Sequence, residues 1–357
     1  MTSAKRLVSA CLLGLASVSL QAAPSTSLRD PLKVPAAQST LAARSLIQGL
    51  ARAGNRVVAV GQRGHILYSD DQGLSWQQAE VPVSSDLLAV HFPSATQGWA
   101  VGHDGVVLHT ADAGGSWQVQ LTGQGMAALL RAAYTPARVA ALGLAAAEAS
   151  ALQADAERLA AQGAENPLLA VWFADERTGF AVGAFNLIFR TDNGGKTWEP
   201  WFHRTVNPQR LHFYAIAAGP QGLLLAGEQG IMLRLDDKAQ RFLPYDTGYR
   251  GSFFGLQAVG ANTYAFGLRG HLYRAGPGAD WSRVDSGLAD GLVAAAACPA
   301  GGWLLASQSG RVVVNAGEAN RPVRQLSPGV PVSAVLCLAD GQPLIAGAAG
   351  LRKVALP

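Results

Sequence analysis

Short runs of apolar residues, separated by glycine-rich turns, recur along this 357-residue chain. The stretch that begins at Leu87 shows the pattern most completely: LLAVHF, GWAVG, VVLHT and WQVQ are four successive runs of strand length. Runs of this length bounded by turn residues predict β-strands. A Gly-x-x-Gly turn joins the second run to the third, where a tight hairpin needs positive φ. The stretch therefore predicts a four-stranded antiparallel meander.

The same pattern is repeated along the chain with a period of roughly 40 residues. The turns that mark its copies begin at Gly61, Gly102, Gly183, Gly227, Gly267, Ser307 and Gly347. The interval between the second and third copies is about twice as long, so it contains an insertion. Strand repeats of this length each form one propeller blade. We therefore expect an all-β fold, a seven-bladed β-propeller with a helical-hairpin insertion between blades two and three.

The turn between the third and fourth strands carries a more specific motif, Ser/Thr-x-Asp/Asn-x-Gly-x-Ser/Thr-Trp, which resembles the Asp-box of sialidase-type (BNR) repeats. Its three copies contain Ser69, Asp71, Gly73 and Trp76, then Thr110, Asp112, Gly114 and Trp117, then Thr191, Asn193, Gly195 and Trp198. The Asx side chain can accept amide hydrogen bonds within its own turn, and the tryptophan can pack between blades. We expect these residues to maintain the fold.

Residues 1–23 have the features of a secretory signal peptide: Lys5 and Arg6 precede an apolar run that is too short to span a membrane. The sequence thus predicts an exported, periplasmic protein. The formal net charge of the whole chain is +4, and removal of the signal would take two of these charges away. The remaining charge does not favour nucleic-acid binding.

Residues 24–45 precede the first blade, and residues 46–357 form the predicted propeller. The last repeat ends after its third strand, which leaves an open sheet edge. We expect part of Asp30 to Ala42 to pair with this edge and close the last blade.

The insertion occupies residues 122–166. Thr135 and Pro136 can begin a helix as N-cap and first residue, and Ala137–Gln162 is rich in helix-forming residues. Met126–Ala133 predicts a shorter preceding helix, giving a helical hairpin. Because the insertion connects two blades, it should share a face with the Gly-x-x-Gly turns. It is either a decorative excursion or a partner-binding arm.

The predicted turn face carries several charged residues that are candidates for partner binding: Arg63, His65, His103, Asp104, Arg204, Arg210, Arg250, Arg269, His271 and Arg311. If they converge on the central channel, they form a basic patch suited to an acidic protein segment. The alternative is a set of ordinary solvated loop charges. No residue pattern indicates a cofactor or a metal site. We expect a monomer that binds a membrane-protein complex or an exported segment without entering the membrane.

Two cysteines, Cys298 and Cys337, lie at comparable first-strand positions of neighbouring blades. A disulfide between them is compatible with an oxidising compartment, but the sequence favours thiols packed as small apolar groups.

Asp-boxes also occur in glycosidases, so a sialidase-like hydrolase or glycan-binding protein is the alternative function. A sialidase needs converging arginines, a tyrosine with a glutamate partner and a separate acid. Glu228 has no tyrosine neighbour that the sequence reveals, and Asp104 and Glu228 belong to nonadjacent blades. We therefore do not expect an enzyme.

The combination of Phe-x(5)-Gly-aromatic-Ala-Val-Gly with the Asp-box resembles the photosystem II stability and assembly factor family. Phe92–Trp117 and Phe173–Trp198 carry the resemblance best. It implies a seven-bladed, non-enzymatic factor that handles membrane-protein subunits from the exported side, with Arg63 and Arg269 as the transferable partner-binding residues. The helical insertion resembles versions of the family from non-photosynthetic proteobacteria, which implies an envelope complex as the client.

Overall fold

A computed structural model of the protein describes residues 29–315, 322–326 and 329–355. The predicted signal peptide lies outside these residues. The described chain forms seven antiparallel sheets, each a meander of consecutive strands. The first strands of neighbouring sheets pack side by side around a closed ring, and the first strand of the seventh sheet packs against that of the first. The predicted seven-bladed β-propeller is confirmed.

The first four blades contain sixteen strands. They are β1 (Ile47–Ala53), β2 (Arg56–Gly61), β3 (Ile66–Ser69) and β4 (Gln77–Gln78) in blade one; β5 (Leu87–His91), β6 (Gly98–Gly102), β7 (Val107–Thr110) and β8 (Gln118–Leu121) in blade two; β9 (Leu168–Phe173), β10 (Gly179–Gly183), β11 (Ile188–Thr191) and β12 (Glu199–Pro200) in blade three; and β13 (Phe213–Gly219), β14 (Gly222–Gly227), β15 (Met232–Asp236) and β16 (Arg241–Pro244) in blade four.

The last three blades contain the remaining strands. They are β17 (Phe253–Val259), β18 (Asn262–Gly267), β19 (Leu272–Ala275) and β20 (Ser282–Val284) in blade five; β21 (Leu292–Ala297), β22 (Trp303–Ser307), β23 (Val312–Asn315) and β24 (Pro322–Leu326) in blade six; and β25 (Val332–Cys337), β26 (Pro343–Gly347) and β27 (Gly350–Lys353) in blade seven.

The second strand of a blade is its most buried element. Every residue of β6, β10, β22 and β26 is buried. A second strand has neighbouring blades against both of its faces, so its side chains can be apolar on both sides, as in a strand at the centre of a buried sheet. This explains the continuous apolar runs, such as GWAVG and GFAVG, that identify the repeat.

Each first strand has a β-bulge at its second residue. The pairing register shifts there in all seven blades, so one residue per blade has no partner in the second strand. These residues are Gln48, Leu88, Leu169, Tyr214, Phe254, Val293 and Ser333, and all are half-buried. They lie beside the Gly-x-x-Gly turns, because a first strand begins at the rim where its second strand ends. The first strands pack around the central channel, so these seven residues form a ring at its mouth. The bulge changes the direction of each of their side chains.

The insertion follows β8, as expected, and contains α1 (Gly123–Ala133), α2 (Pro136–Ala140) and α3 (Ala146–Gln162). Thr135 and Pro136 take the predicted N-cap and first positions of α2. A continuous helix over Ala137–Gln162 is wrong, because the chain turns at Gly143, where φ is +67°. Helices α1 and α3 pack against each other, so the hairpin itself is confirmed.

The insertion is part of the propeller core. Met126, Leu130, Leu152 and Leu159 are buried in one apolar cluster with core side chains of blades two to four, such as Phe189. The insertion is therefore docked on the blades along its apolar side.

In the part of the chain that the structure describes, no helix is long and apolar enough to span a membrane.

The segment before the first blade does not take the predicted position. Instead of pairing with the last blade, it follows the outer edge of blade one: the Ala36 N–H donates to the Val81 carbonyl at 3.0 Å, and the Ser84 N–H donates to the Pro31 carbonyl at 2.9 Å. No part of Asp30 to Ala42 pairs with the last blade as a strand in the described residues, although Ala42 itself packs against that blade. Among the described residues, blade seven has three strands.

Apolar contacts close the ring instead. Ala42 is buried with Ile47 of blade one and Ala346 of blade seven, and Trp76 packs with Leu344. A disulfide also joins blades six and seven through Cys298 and Cys337. The preference for free, packed thiols is therefore wrong. Cys298 directly follows β21 and Cys337 ends β25, and the packing of these adjacent strands brings the two sulfur atoms together.

Candidate partner-binding face

The Gly-x-x-Gly turns and the connections between blades lie on one rim of the propeller, which we call the turn face. The third residue of five of these turns has positive φ although it is not glycine. They are Arg63, Asp104, Phe185, Gln229 and Arg269, with φ between 50° and 57°. A left-handed residue is costly without glycine, and here the tight hairpin requires it. The predicted positive φ of the fourth position is also observed, for example 72° at Gly64.

Some of the predicted basic residues are free and others are neutralised. Arg63, His103 and Arg269 are exposed, and their side chains have no hydrogen bond or ion pair within the described ranges. The others have partners: Arg210 Nε lies 2.5 Å from Asp155 Oδ1, Arg250 Nη1 lies 2.9 Å from Asp246 Oδ1, and Arg311 pairs with Asp290. The Arg204 guanidinium stacks on Trp201, with its Cζ atom 5.0 Å from the ring centroid. The turn face thus carries mixed charge, with Arg63 and Arg269 on nonadjacent blades.

Two of the predicted histidines do not add positive charge. His65 is buried beside Ser45, and burial, followed by the charge of Arg63, lowers its pKa. Burial also lowers the pKa of His271, with Arg283 and Arg269 contributing further. Both imidazoles are therefore neutral at neutral pH. His271 packs against Tyr249 with ring centroids 4.9 Å apart, so it supports the blade.

A cluster of rings at the channel mouth was not foreseen from the sequence. Glu228 accepts a hydrogen bond from the His212 N–H at 2.9 Å, and the bulged residue Tyr214 lies close enough to the same carboxylate for its charge to add to burial in raising the pKa of the phenol. The expectation that Glu228 lacks a tyrosine neighbour is therefore wrong. Tyr214 also contacts Phe254 edge to face, and His212 contacts Phe185. Tyr214 and Phe254 occupy the bulges of their first strands, which the sequence does not reveal.

Two large apolar side chains are exposed at turns of this face. Phe185 and Leu268 are 37% and 38% exposed, in blades three and five. The insertion approaches Phe185, because the Arg158 guanidinium lies 5.6 Å from its ring centroid. Aromatic side chains and arginines are enriched at the centre of protein interfaces.

The Asp-boxes lie on the opposite rim, which we call the Asp-box face. In blade one the Ser75 N–H donates to Asp71 Oδ1 at 2.9 Å, and the Ser69 hydroxyl donates to the same oxygen at 2.7 Å. The Ser75 hydroxyl, followed by its N–H, lowers the pKa of Asp71 from 3.8 to about 2. Asp112 and Asn193 repeat this pattern in blades two and three. Each carboxylate or amide therefore closes its own turn.

The tryptophans of the boxes pack in different places. Trp117 is buried with Val58 of blade one, Trp198 joins the cluster under the insertion, and Trp76 contacts blade seven. Within the described ranges, no group of three or more His, Cys, Asp or Glu side chains could hold a metal ion.

Comparison with known proteins agrees with this geometry. A sequence model of the family described as "Photosynthesis system II assembly factor YCF48" matches residues 52–156, from the end of β1 into α3. The chain is a propeller that resembles this family over those residues. No curated protein matches its sequence.

Solved structures similar to this propeller include three with low sequence identity. "YCF48 bound to D1 peptide" has a TM-score of 0.60 at 14% identity and covers 88% of this chain and 94% of that chain. "YCF48 from Cyanidioschyzon merolae" has a TM-score of 0.60 at 15% identity, with 86% and 94% covered. The WD40 propeller domain of Doa1 has a TM-score of 0.62 at 10% identity, with 90% and 95% covered. These likenesses establish the fold alone.

Proposed function

We propose that this protein is an exported, non-enzymatic assembly or stability factor that binds a segment of a membrane-protein complex in the cell envelope. The match to the YCF48 assembly-factor family over residues 52–156 carries the proposal. A similarly folded member is described as bound to D1 peptide. We extend peptide recognition, though not that client, to this chain.

The binding surface in this proposal is the turn face between the insertion and blade five. It offers the exposed side chains of Phe185 and Leu268 and the unpaired guanidinium of Arg269. A few side chains near the centre of such a surface supply most of its affinity. The charged groups around them select the partner and speed its association. The docked insertion forms a fixed wall on one side, which lowers the entropy lost on binding.

Export is supported by the disulfide between Cys298 and Cys337. Structural disulfides form and persist in oxidising compartments, including the bacterial periplasm. The predicted signal at residues 1–23 has the same implication. Mass spectrometry of protein recovered from the producing cells tests this part: a mature chain that begins near Pro24 and carries the intact disulfide supports export, whereas an intact Met1 terminus in the cytoplasmic fraction contradicts it.

The main test is an affinity capture from detergent-solubilised envelope. The double variant Phe185→Ser/Leu268→Ser removes both apolar groups of the turn face, and Leu74→Ser is its matched control, because Leu74 is 76% exposed on the Asp-box face. We expect the wild type and Leu74→Ser to retain the same membrane complex and the double variant to lose it. Retention of that complex by all three proteins would exclude the turn face, and capture of nothing by the wild type would refute the assembly-factor proposal.

A glycosidase is the second candidate, because Tyr214 lies beside Glu228 as a tyrosine nucleophile and its partner would. However, burial, followed by the charge of Glu228, raises the pKa of Tyr214, which opposes formation of the nucleophilic phenolate. Arg158 of the insertion lies over the Phe185 ring of this cluster and already donates to Gln162 Oε1 at 3.2 Å. Turnover of a fluorogenic sialoside that is abolished in Tyr214→Phe would establish this alternative.

A further inference from the structure

A cavity of about 310 Å³ separates α3 from the connection between blades three and four. Leu152 and Ala151 of α3 form one apolar wall, and Phe202, Val206 and Pro208 form the opposite wall. This volume lies at the lower end of the range for small-ligand pockets, which combine apolar walls with a few charged or polar groups. The cavity exists only because the insertion is docked.

Two polar contacts hold the walls in place. Arg210 Nε on the connection lies 2.5 Å from Asp155 Oδ1 on α3. The Tyr134 hydroxyl, which lies between α1 and α2, is 2.7 Å from His203 Nδ1 and donates to the Pro200 carbonyl at 3.2 Å. The cavity is therefore preformed, and little ordering is needed to fill it.

One cation of the cavity has no counter-ion. Arg241, at the start of β16, lines the cavity, and its Nε atom is buried without a hydrogen-bond partner. No carboxylate in the described ranges lies within ion-pair distance of it. The other arginine that lines the cavity differs, since Arg210 pairs with Asp155. A buried donor without a partner is costly, and a carboxylate would satisfy it with strong, charge-assisted hydrogen bonds.

The other titratable groups of the cavity leave this cation uncompensated. Burial, followed by the charges of Arg204 and Arg241, lowers the pKa of His203 to about 4, so the imidazole is neutral. Asp155 is held by Arg210, and Glu148 lies exposed at the rim. The remaining polar side chains, Asn186, Thr205 and Asn207, are hydrogen-bonded to each other or to the backbone.

We propose that this cavity is a carboxylate-binding site, in which Arg241 receives the carboxylate of an amphipathic ligand while α3 and the blade connection enclose its apolar part. The ligand chemistry is that of an acidic side chain or a chain end next to an apolar group. This site goes beyond the proposed function, because it requires neither the exposed side chains of Phe185 and Leu268 nor a membrane client. The two proposals can therefore fail separately.

Calorimetry with the full folded protein tests the site. The first probes are 4-phenylbutyrate and 4-phenylbutanamide, which share their apolar part and differ in charge. We expect the carboxylate to bind at least about tenfold more tightly than the amide, since hydrogen bonds between ions exceed neutral ones. Arg241→Gln should remove this preference. Arg234→Gln is the matched control, because it removes the same charge from blade four at an exposed position, where Arg234 stacks on Tyr245.

A second variant tests the cavity itself. Ala151→Trp fills the space from α3 without changing charge and should abolish binding of 4-phenylbutyrate. The proposal is overturned if the amide binds as tightly as the carboxylate, if Arg241→Gln keeps the preference, or if Ala151→Trp keeps full affinity. Equal thermal unfolding temperatures of Arg241→Gln and Arg234→Gln show that both are folded.

Two peptide pairs then identify the source of the carboxylate. One pair compares a free C-terminus with an amidated one, and the other compares an internal Asp with Asn, each next to leucine. A preference within the first pair assigns the site to a chain end, and a preference within the second assigns it to an acidic side chain. A preference in neither pair, with 4-phenylbutyrate still bound, assigns the site to a small-molecule carboxylate.

Discussion

Replacement of Leu130 by alanine tests whether the insertion belongs to the folding unit of the propeller. Leu130 lies in α1 and is 1% exposed, and it shares an apolar cluster with Phe173 and Phe189 of blade three. Leu142 follows α2 in the same insertion and is 40% exposed. The two leucine-to-alanine changes are chemically identical, so their difference measures burial against the blades.

The expected magnitudes differ widely. A fully buried Leu→Ala change lowers the free energy of unfolding by about 3 kcal/mol or more, because the lost transfer energy is joined by the cost of a cavity. An exposed substitution usually changes it by less than about 0.5 kcal/mol. With an unfolding entropy of about 2.1 cal/mol/K per residue, a loss of about 3 kcal/mol lowers the Tm of a chain of this size by about 4 °C.

Thermal unfolding followed by tryptophan fluorescence and by far-ultraviolet circular dichroism gives the answer. We expect Leu130→Ala to shift the single main transition in both signals and Leu142→Ala to leave it in place. If the insertion were an independent arm, Leu130→Ala would reduce the helical signal alone and leave the transition of the blades unchanged. Equal Tm values for the two variants would refute the assignment of the insertion to the core.

Three further outcomes follow from the structure. Reduction of the Cys298–Cys337 disulfide, or replacement of both cysteines by serine, should lower the free energy of unfolding by about 4 kcal/mol, because the cross-link closes a loop of about 40 residues. Urea titrations measure this loss, and an unchanged unfolding midpoint would contradict the prediction. Gly105→Ala should destabilise the protein by about 1–3 kcal/mol more than Gly143→Ala. Both glycines have left-handed φ, but a Cβ at Gly105 would lie 2.9 Å from backbone atoms of Gly123 in α1, while one at Gly143 would meet nothing within 4 Å. Equal losses in calorimetry would show that α1 is not packed there. The Asp71 carboxyl, followed by carbon-13 NMR, should titrate near pH 2. Because its folded pKa lies below the unfolded value, its stabilising contribution is present above about pH 3.8 and is lost as the pH falls through about 2; a titration midpoint near 3.8 would show that the box is open.

Features that depend on neighbouring residues in the sequence were predictable. The hairpin at Gly102 needs residues that tolerate positive φ, and the box at Asp112 closes with a hydroxyl two residues before it and an amide four residues after it. These interactions are local, so the same residue types recur wherever the same turn is built. The N-cap and first residue of α2 belong to the same class.

Features that depend on distant residues were not predictable. Arg210 and Asp155 appeared as unrelated loop and helix charges, and only the docking of α3 makes them an ion pair. The basic rim was overestimated for this reason, since nothing in the sequence distinguishes paired from free arginines. Tyr214 and Glu228 meet because a bulge turns one residue of β13 towards the channel, and a bulge leaves no composition signal in an apolar strand.

The sequence by itself determined the number of blades, their strand order and the site of the insertion. These properties follow from the period of apolar runs and from turn chemistry, both of which act over a few residues. Only the tertiary structure decided how the ring closes, which arginines are neutralised and where Arg241 is left without a partner. Those outcomes depend on the packing of blades and helices that are far apart in the chain. The energy of a charge, a thiol or an apolar side chain is set by its burial and by its distance from other groups, rather than by residue type.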